Sequence, residues 1–213
     1  MSSTGLPTPI IVIVPGAFCK PHIFDPLLPY LKAAGFTIHL APIPSCDPAD
    51  PTVATCGADS TSLRNEVLIP LLAKGEDIIV LAHSYGGTVA GGAVRNLDKD
   101  TRTKEGKAAG IIGLIYLAGI ISLEGETVLQ AVGGSLPPLI KTDKVKSPIQ
   151  PLLDRGLTNV CMLDIQPAKG LSVIEPVMET LYNDYDPALE PQLAGNMNLH
   201  ALLAFNTPAL APG

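Results

Sequence analysis

Ser84 is the residue whose neighbours best suit it to do chemistry. It lies in the segment Asp77–Gly91, DIIVLAHSYGGTVAG, where an apolar run enters Ala82-His83-Ser84-Tyr85-Gly86 and a helical stretch of small residues follows. A serine at the tip of so tight a strand-to-helix turn is held in a strained backbone conformation and lifted above the strand end. Residues two before and two after it crowd each other and must be small; here they are Ala82 and Gly86, with Gly87 giving further room. The N-terminus of the next helix lies beside the serine, where partial positive charge favours a developing oxyanion. The chemistry this predicts is nucleophilic attack by Ser84 on an acyl carbon. A bare small-x-Ser-x-Gly match is common by chance. The buried strand before it and the helix after it separate this one from a capping serine in an ordinary crossover.

An attacked carbonyl also needs hydrogen-bond donors for its oxygen. Val14-Pro15-Gly16-Ala17-Phe18 follows the first strongly apolar run. Paired with the serine turn, this loop predicts one backbone donor, the Ala17 N–H with Phe18 as the alternative, and the Tyr85 N–H supplies the other. Gly16 lets the loop approach substrate closely.

The elements that must position these groups are legible from periodicity. Ile10–Val14, Asp77–His83 and Gly110–Ala118 are apolar runs bounded by turn residues and read as buried strands; Phe36–Leu40 alternates and reads as a short one. Helical spacing predicts helices over Pro21–Ala34, from a Ser60 or Thr61 cap to Gly75 with Pro70 kinking or shortening it, and over Thr88–Leu97. Ala41–Ala58 reads as a loop. Strands alternating with helices predict an α/β fold with a mostly parallel sheet and helices on both faces. From Ser122 to Ala194 the chain breaks into short helical pieces punctuated by Pro and Gly, which predicts a small cap, not a second sheet-bearing domain. Asp186-Pro187 reads as a helix cap followed by a first-turn proline, and a last helical piece covers Leu199–Phe205. The expected organisation is one domain over 1–213: a core with the serine turn over 1–121, the cap over 122–195, and the start of further core over 196–213.

Composition narrows the classes of function. The 213 residues are 46% hydrophobic and 16% charged, with net charge −6 and no basic run, which argues against nucleic acid and acidic membranes as partners. Lys99–Lys107 mixes both signs and reads as a solvated loop. The four cysteines, Cys19, Cys46, Cys56 and Cys161, lack metal-site spacing. Cys46 and Cys56 can close a loop disulfide, but free thiols in a reducing compartment are the preferred reading. No apolar run reaches the roughly 20 residues of a membrane span, and the N-terminus lacks a secretory pattern. The expectation is a soluble, cytoplasmic protein with a small-molecule substrate and no metal or cofactor.

VPGAF after the first strand, DIIVLAHSYGG at the serine, IYLAG on the next strand, and LYNDYDP followed by LLAFNTP together resemble the α/β-hydrolases of the methylesterase and hydroxynitrile-lyase-like group, in particular those of fungal secondary metabolism. The resemblance covers essentially the whole chain and implies the α/β-hydrolase fold with a small helical cap, a serine nucleophile and a small-molecule substrate. Relatives carry a histidine before the oxyanion-loop glycine where this chain has Pro15. They also bring an acid and then a histidine on C-terminal strands, which the resemblance places beyond Gly213, so these strands are expected to be missing here. A sheet ended there exposes unpaired strand groups, which predicts a homo-oligomer or another partner covering them.

Within the chain, substitutes for the base are few. His83 is expected to point away into the sheet, and His22 and His39 precede the serine in sequence. His200 follows Asp164, Asp184 and Asp186, so it is the candidate substitute base; the competing reading makes it a helix residue flanking the pocket. Three functions stay open: an esterase or thioesterase, a lyase- or decarboxylase-like catalyst on the same fold, and a binding protein or truncated product without catalysis.

Overall fold

A computed structural model describes residues 8–142, 170–182 and 184–210 of the chain. Its centre is a four-stranded, all-parallel sheet in the order β2-β1-β3-β4, built from β1 (Ile10–Val14), β2 (Thr37–Leu40), β3 (Ile78–His83) and β4 (Ile111–Leu117). β1 is buried along its whole length, as a continuous β-branched run requires in a parallel sheet covered on both faces. Val12, Val14, Val80 and Ala82 point into one core together with Leu63, Val67 and Leu68 from the helix alongside. β4 lies at the edge among the described residues, and Ile112, Ile115 and Leu117 are about half exposed (49%, 50% and 47%).

The helix predicted from Ser60 begins one turn earlier. Thr55 caps it, its hydroxyl accepting the Ala58 N–H at 3.0 Å, and α2 runs Cys56–Ser62. The expected loop therefore ends at Thr55, and Asp59 and Ser60 lie on a buried helix face. A π-helical stretch, Leu63–Leu68, precedes α3 (Ile69–Ala73), which holds Pro70 in its first turn. Proline cannot donate to the carbonyl one turn back and its ring crowds that carbonyl; the wider π turn absorbs the mismatch without ending the helix. The remaining helices of this part are α1 (Leu28–Ala33), α4 (Gly86–Ala93) and α5 (Lys99–Lys104).

Helix α5 replaces the solvated loop expected over Lys99–Lys107. Asp98 caps it through the Thr101 N–H, Arg102 is buried with its Nε donating to the Ala109 carbonyl, and Lys99 Nζ meets Asp77 at 2.6 and 2.8 Å. Mixed charge here marks specific pairing rather than a bare solvated run.

The segment after β4 contains short helices, α6 (Val128–Ala131) and further pieces over Val177–Leu181 and Glu190–Gly195. It also contributes to a small antiparallel sheet that the sequence did not suggest, β5 (Ile140–Lys141), β6 (Leu171–Ile174) and β7 (His200–Ala201), in the order β5-β6-β7. Two-residue strands are too short to show a period. Asp186 caps the turn at Pro187 as expected, accepting the Ala188 N–H at 2.9 Å. The last helix spans Leu202–Asn206, so His200 sits on a strand and not on the expected helix. Cys19, Cys46 and Cys56 are free thiols, while Cys161 and Asp164 lie outside the described residues.

Asp77 joins several of these elements at the base of the sheet. Its carbonyl accepts the Ile10 N–H at 2.8 Å, and its carboxylate accepts the Gly110 N–H at 2.9 Å and the Lys99 ammonium. Partial burial pushes its pKa up, but the Lys99 and Gly110 hydrogen bonds and the Lys99 charge outweigh it and hold the carboxyl below its ordinary 3.8. A depressed native value means stability that is present above 3.8 and lost as pH falls through the lower native value. Asp77→Asn is expected to lower the urea-unfolding free energy by about 1 kcal/mol at pH 7. The gap between variant and parent should shrink at pH 3; an equal gap at both pH values would show that the carboxylate charge is not its source.

Candidate functional site

Ser84 sits where β3 ends and α4 begins, with φ of +50°. A non-glycine residue in the left-handed region is strained, and surrounding structure must hold it there. Two sets of contacts do so. The Ser84 N–H donates to Leu117 O at 3.3 Å, and the Ser84 carbonyl accepts from Gly87 N and Ile120 N, each at 2.9 Å. The turn is therefore clamped to the end of β4, where Ala118 also has a positive φ of 46°.

The need for a small residue at position 86 has a different origin from the expected crowding with Ala82. A Cβ on Gly86 would lie 2.4 Å from the Pro15 carbonyl oxygen and 2.7 Å from that of Val14. The end of β1 thus lies against the start of α4, which brings the loop after β1 beside the serine. Gly16 completes this approach: a Cβ there would meet Ser84 Cβ and His83 Nδ1, each at 3.0 Å.

Ala17, Phe18, His83, Ser84 and Tyr85 all line one cavity of about 250 Å³. Its remaining wall is mostly apolar, including Ile120, Val128, Leu136 and Phe205. The structure thus brings the predicted serine together with both predicted donor residues. The Phe18 N–H, the alternative donor, points elsewhere, to His200 Nδ1 at 3.4 Å, and Phe18 itself has a φ of +66°. Among the described residues no acceptor engages the N–H of Ala17 or Tyr85.

Two histidines are placed differently from expectation. His83 does not point away into the sheet; it lines the cavity beside Ser84, edge-on to Phe24 with ring centroids 5.9 Å apart. Burial pulls its pKa down, so the neutral ring is favoured. His200 is fully buried and is not on the cavity wall. It stands behind the wall, packed among Phe18, Tyr85 and Phe205 with ring centroids 5.3, 5.0 and 4.9 Å away. Nδ1 accepts the Phe18 N–H, which leaves the proton on Nε2, 3.2 Å from Ser45 Oγ. Both ring nitrogens are occupied away from Ser84.

Beyond His200 lies a polar cluster that sequence reading missed. The buried Asp59 carboxylate accepts from the Ser45 N–H at 2.9 Å, from Tyr85 Oη at 2.6 Å and from Ser45 Oγ. Burial raises the Asp59 pKa even against these three donors, and it raises that of Tyr85 well above the ordinary phenol. One signal for Asp59 was present: it precedes Leu63 and Val67 by four and eight residues, so a carboxylate occupied the apolar face of the predicted helix if that helix began one turn earlier.

Comparison with known proteins bears on the family and the fold. A family model described as "Alpha/beta hydrolase family" matches residues 11–211. The chain is 29% identical over 126 residues to "Probable hydrolase R7" of a Phoma species, covering 59% of this chain and 48% of that protein. It is 23% identical over 202 residues to "Alpha/beta hydrolase nvfD" of Aspergillus novofumigatus, covering 94% of this chain and 71% of that one. The match thus spans about half the length of the first of these relatives. Among solved structures, a pyrethroid hydrolase from Sphingobium faniae JZ-2 superposes with a TM-score of 0.57 at 20% identity, over 97% of this chain and 73% of that chain.

The burial of His200 has a measurable consequence. Burial drops its pKa from 6.5 to about 3. Between those values the unfolded chain binds a proton that the folded chain refuses, so stability is full above 6.5 and falls as pH drops toward 3. One such group contributes up to about 1.4 kcal/mol per pH unit. His200→Gln is expected to flatten the decline in urea-unfolding free energy between pH 7 and pH 5. Equal slopes for parent and variant would show that His200 is not the buried neutral group.

Proposed function

We propose that this chain, which belongs to the alpha/beta hydrolase family, is a serine hydrolase that cleaves an ester or thioester of a small, largely apolar molecule. The observation that carries this reading is Ser84 at the tip of the strained β3–α4 turn, on the wall of a cavity that Ala17 and Tyr85 also line. The central parallel sheet and flanking helices are those of the α/β-hydrolase fold. A fold hosts many reactions, so the reading rests on the site.

In the proposed reaction Ser84 Oγ attacks the acyl carbon and gives up its proton to a general base. The former carbonyl oxygen becomes an oxyanion, and the unclaimed N–H groups of Ala17 and Tyr85 receive it. Collapse of this intermediate expels the alcohol or thiol, which takes up a proton; water then releases the acid from Ser84. His200 does not serve as the base in this scheme, because Phe18 N–H and Ser45 Oγ occupy its nitrogens. The volume and apolar lining of the cavity support a small, weakly polar acyl or alcohol group. The two fungal relatives carry hydrolase names, which supports the hydrolase class; the secondary-metabolite setting rests on the sequence resemblance alone.

Hydrolysis of short-chain p-nitrophenyl esters tests the proposal. Ser84→Ala is expected to lower kcat at least about 100-fold, since the nucleophile is removed while the cavity remains. Turnover by Ser84→Ala equal to that of the parent would sink the serine-hydrolase reading.

A further inference from the structure

The polar cluster behind the cavity has no role in the scheme above. Asp59, Ser45 and His200 are each at most 1% exposed, and none lines the cavity. Burying a carboxylate is costly, and a buried polar network is weak grounds for stability, so its geometry asks for another explanation.

That geometry is a bridge between the two walls of the oxyanion site. From Asp59, one arm runs to Tyr85 Oη at 2.6 Å, and Tyr85 is the residue after Ser84. The other arm runs to Ser45 Oγ, on to His200 Nε2 at 3.2 Å, and from His200 Nδ1 to the Phe18 N–H at 3.4 Å. Phe18 follows Ala17 in the loop after β1. The donors run in one consistent direction: Nε2–H to Ser45 Oγ, and Ser45 O–H to the Asp59 carboxylate. The Phe18 contact also fixes a residue with φ of +66°, a conformation that does not hold itself. The cluster is anchored on α2, which packs closely on α4: a Cβ on Gly92 would lie 2.9 Å from Ser60 Oγ.

We propose that Asp59, acting through Tyr85 on one side and through Ser45 and His200 on the other, is a positioning residue that sets the Ala17 and Tyr85 N–H groups at the spacing the oxyanion requires. This rests on the hydrolase reading and extends it. His200 thereby acquires a role without being a base. Oxyanion donors are sensitive to such support: loss of one costs about 100- to 1,000-fold, and a misplacement of about 1 Å can cost 100-fold.

Asp59→Asn is the sharpest variant. It keeps the volume but presents an NH2 to donors that now face a second donor. Ser45→Ala removes the link to His200 by a smaller change and serves if Asp59→Asn does not fold. The readout is inactivation by an alkyl fluorophosphonate, in which Ser84 Oγ bonds to phosphorus, the P–F bond breaks, fluoride leaves and the serine proton passes to base or solvent. The phosphoryl oxygen then occupies the oxyanion position. Amide hydrogen exchange at Phe18 and Tyr85 reports the loop and turn independently of reactivity.

For a folded variant the expected result is a maximal inactivation rate about 10- to 100-fold below the parent with unchanged half-saturation, together with faster Phe18 amide exchange. A role confined to stability would lower the melting temperature and leave the maximal rate alone. A reactive parent with a variant that matches its maximal rate, or its Phe18 exchange, overturns the positioning role. A parent no more reactive than Ser84→Ala overturns the hydrolase reading, and the positioning role falls with it.

Discussion

The site depends on how closely the end of β1 approaches the start of α4. The Val14 and Pro15 carbonyl oxygens stand where a side chain at position 86 would be, and a Cβ on Gly16 would lie 3.0 Å from that of Ser84. This contact sets the loop after β1 against the serine turn, so that two segments about seventy residues apart in sequence share one cavity. Parallel pairing of β1 with β3 supplies the register for it, since Val14 and Ala82 are partners at the strand ends. The strain at Ser84 is held from the other side by Leu117, the last residue of β4, and by Ile120 just past it.

The histidines illustrate how burial separates chemistry from position. His83 is next to the serine in sequence and shares its cavity; His200 is distant in sequence and lies behind the wall. Among the described aromatic rings, those around His200 form one cluster, with Phe18 and Phe205 5.8 Å apart and Tyr85 and Phe205 5.7 Å apart. Such a setting excludes the protonated imidazole and leaves a neutral ring with one donor and one acceptor. That is a poor place for a base and a suitable one for a link in a directed chain of hydrogen bonds.

Much of the core was legible in the sequence because continuous β-branched runs and small residues around Ser84 have few alternative structures. Ile10–Val14 and Ile78–His83 are strands where their composition demands them, and Gly86 is required although the crowding atoms belong to Pro15 rather than Ala82. Three features resisted. The start of α2 was hidden because Thr55, Cys56 and Gly57 carry no apolar period, and with it went Asp59. The strand at His200 is two residues long and borrows its partners from β6, so no local pattern marks it. The direction of the His83 ring depends on the close approach of Gly16, a contact across the chain that no local window contains.

The proposed chemistry requires Ser84, and no other nucleophile on the cavity, to be the activated group; Cys19 also lines it, with burial pushing its thiol up to about 11. Its most direct test is the site of covalent attachment after exposure to a fluorophosphonate, located by mass spectrometry of the digested protein. A single adduct is expected, on the peptide carrying Ser84 and at that serine. Attachment to another residue, or none above the background of a denatured sample, would contradict it.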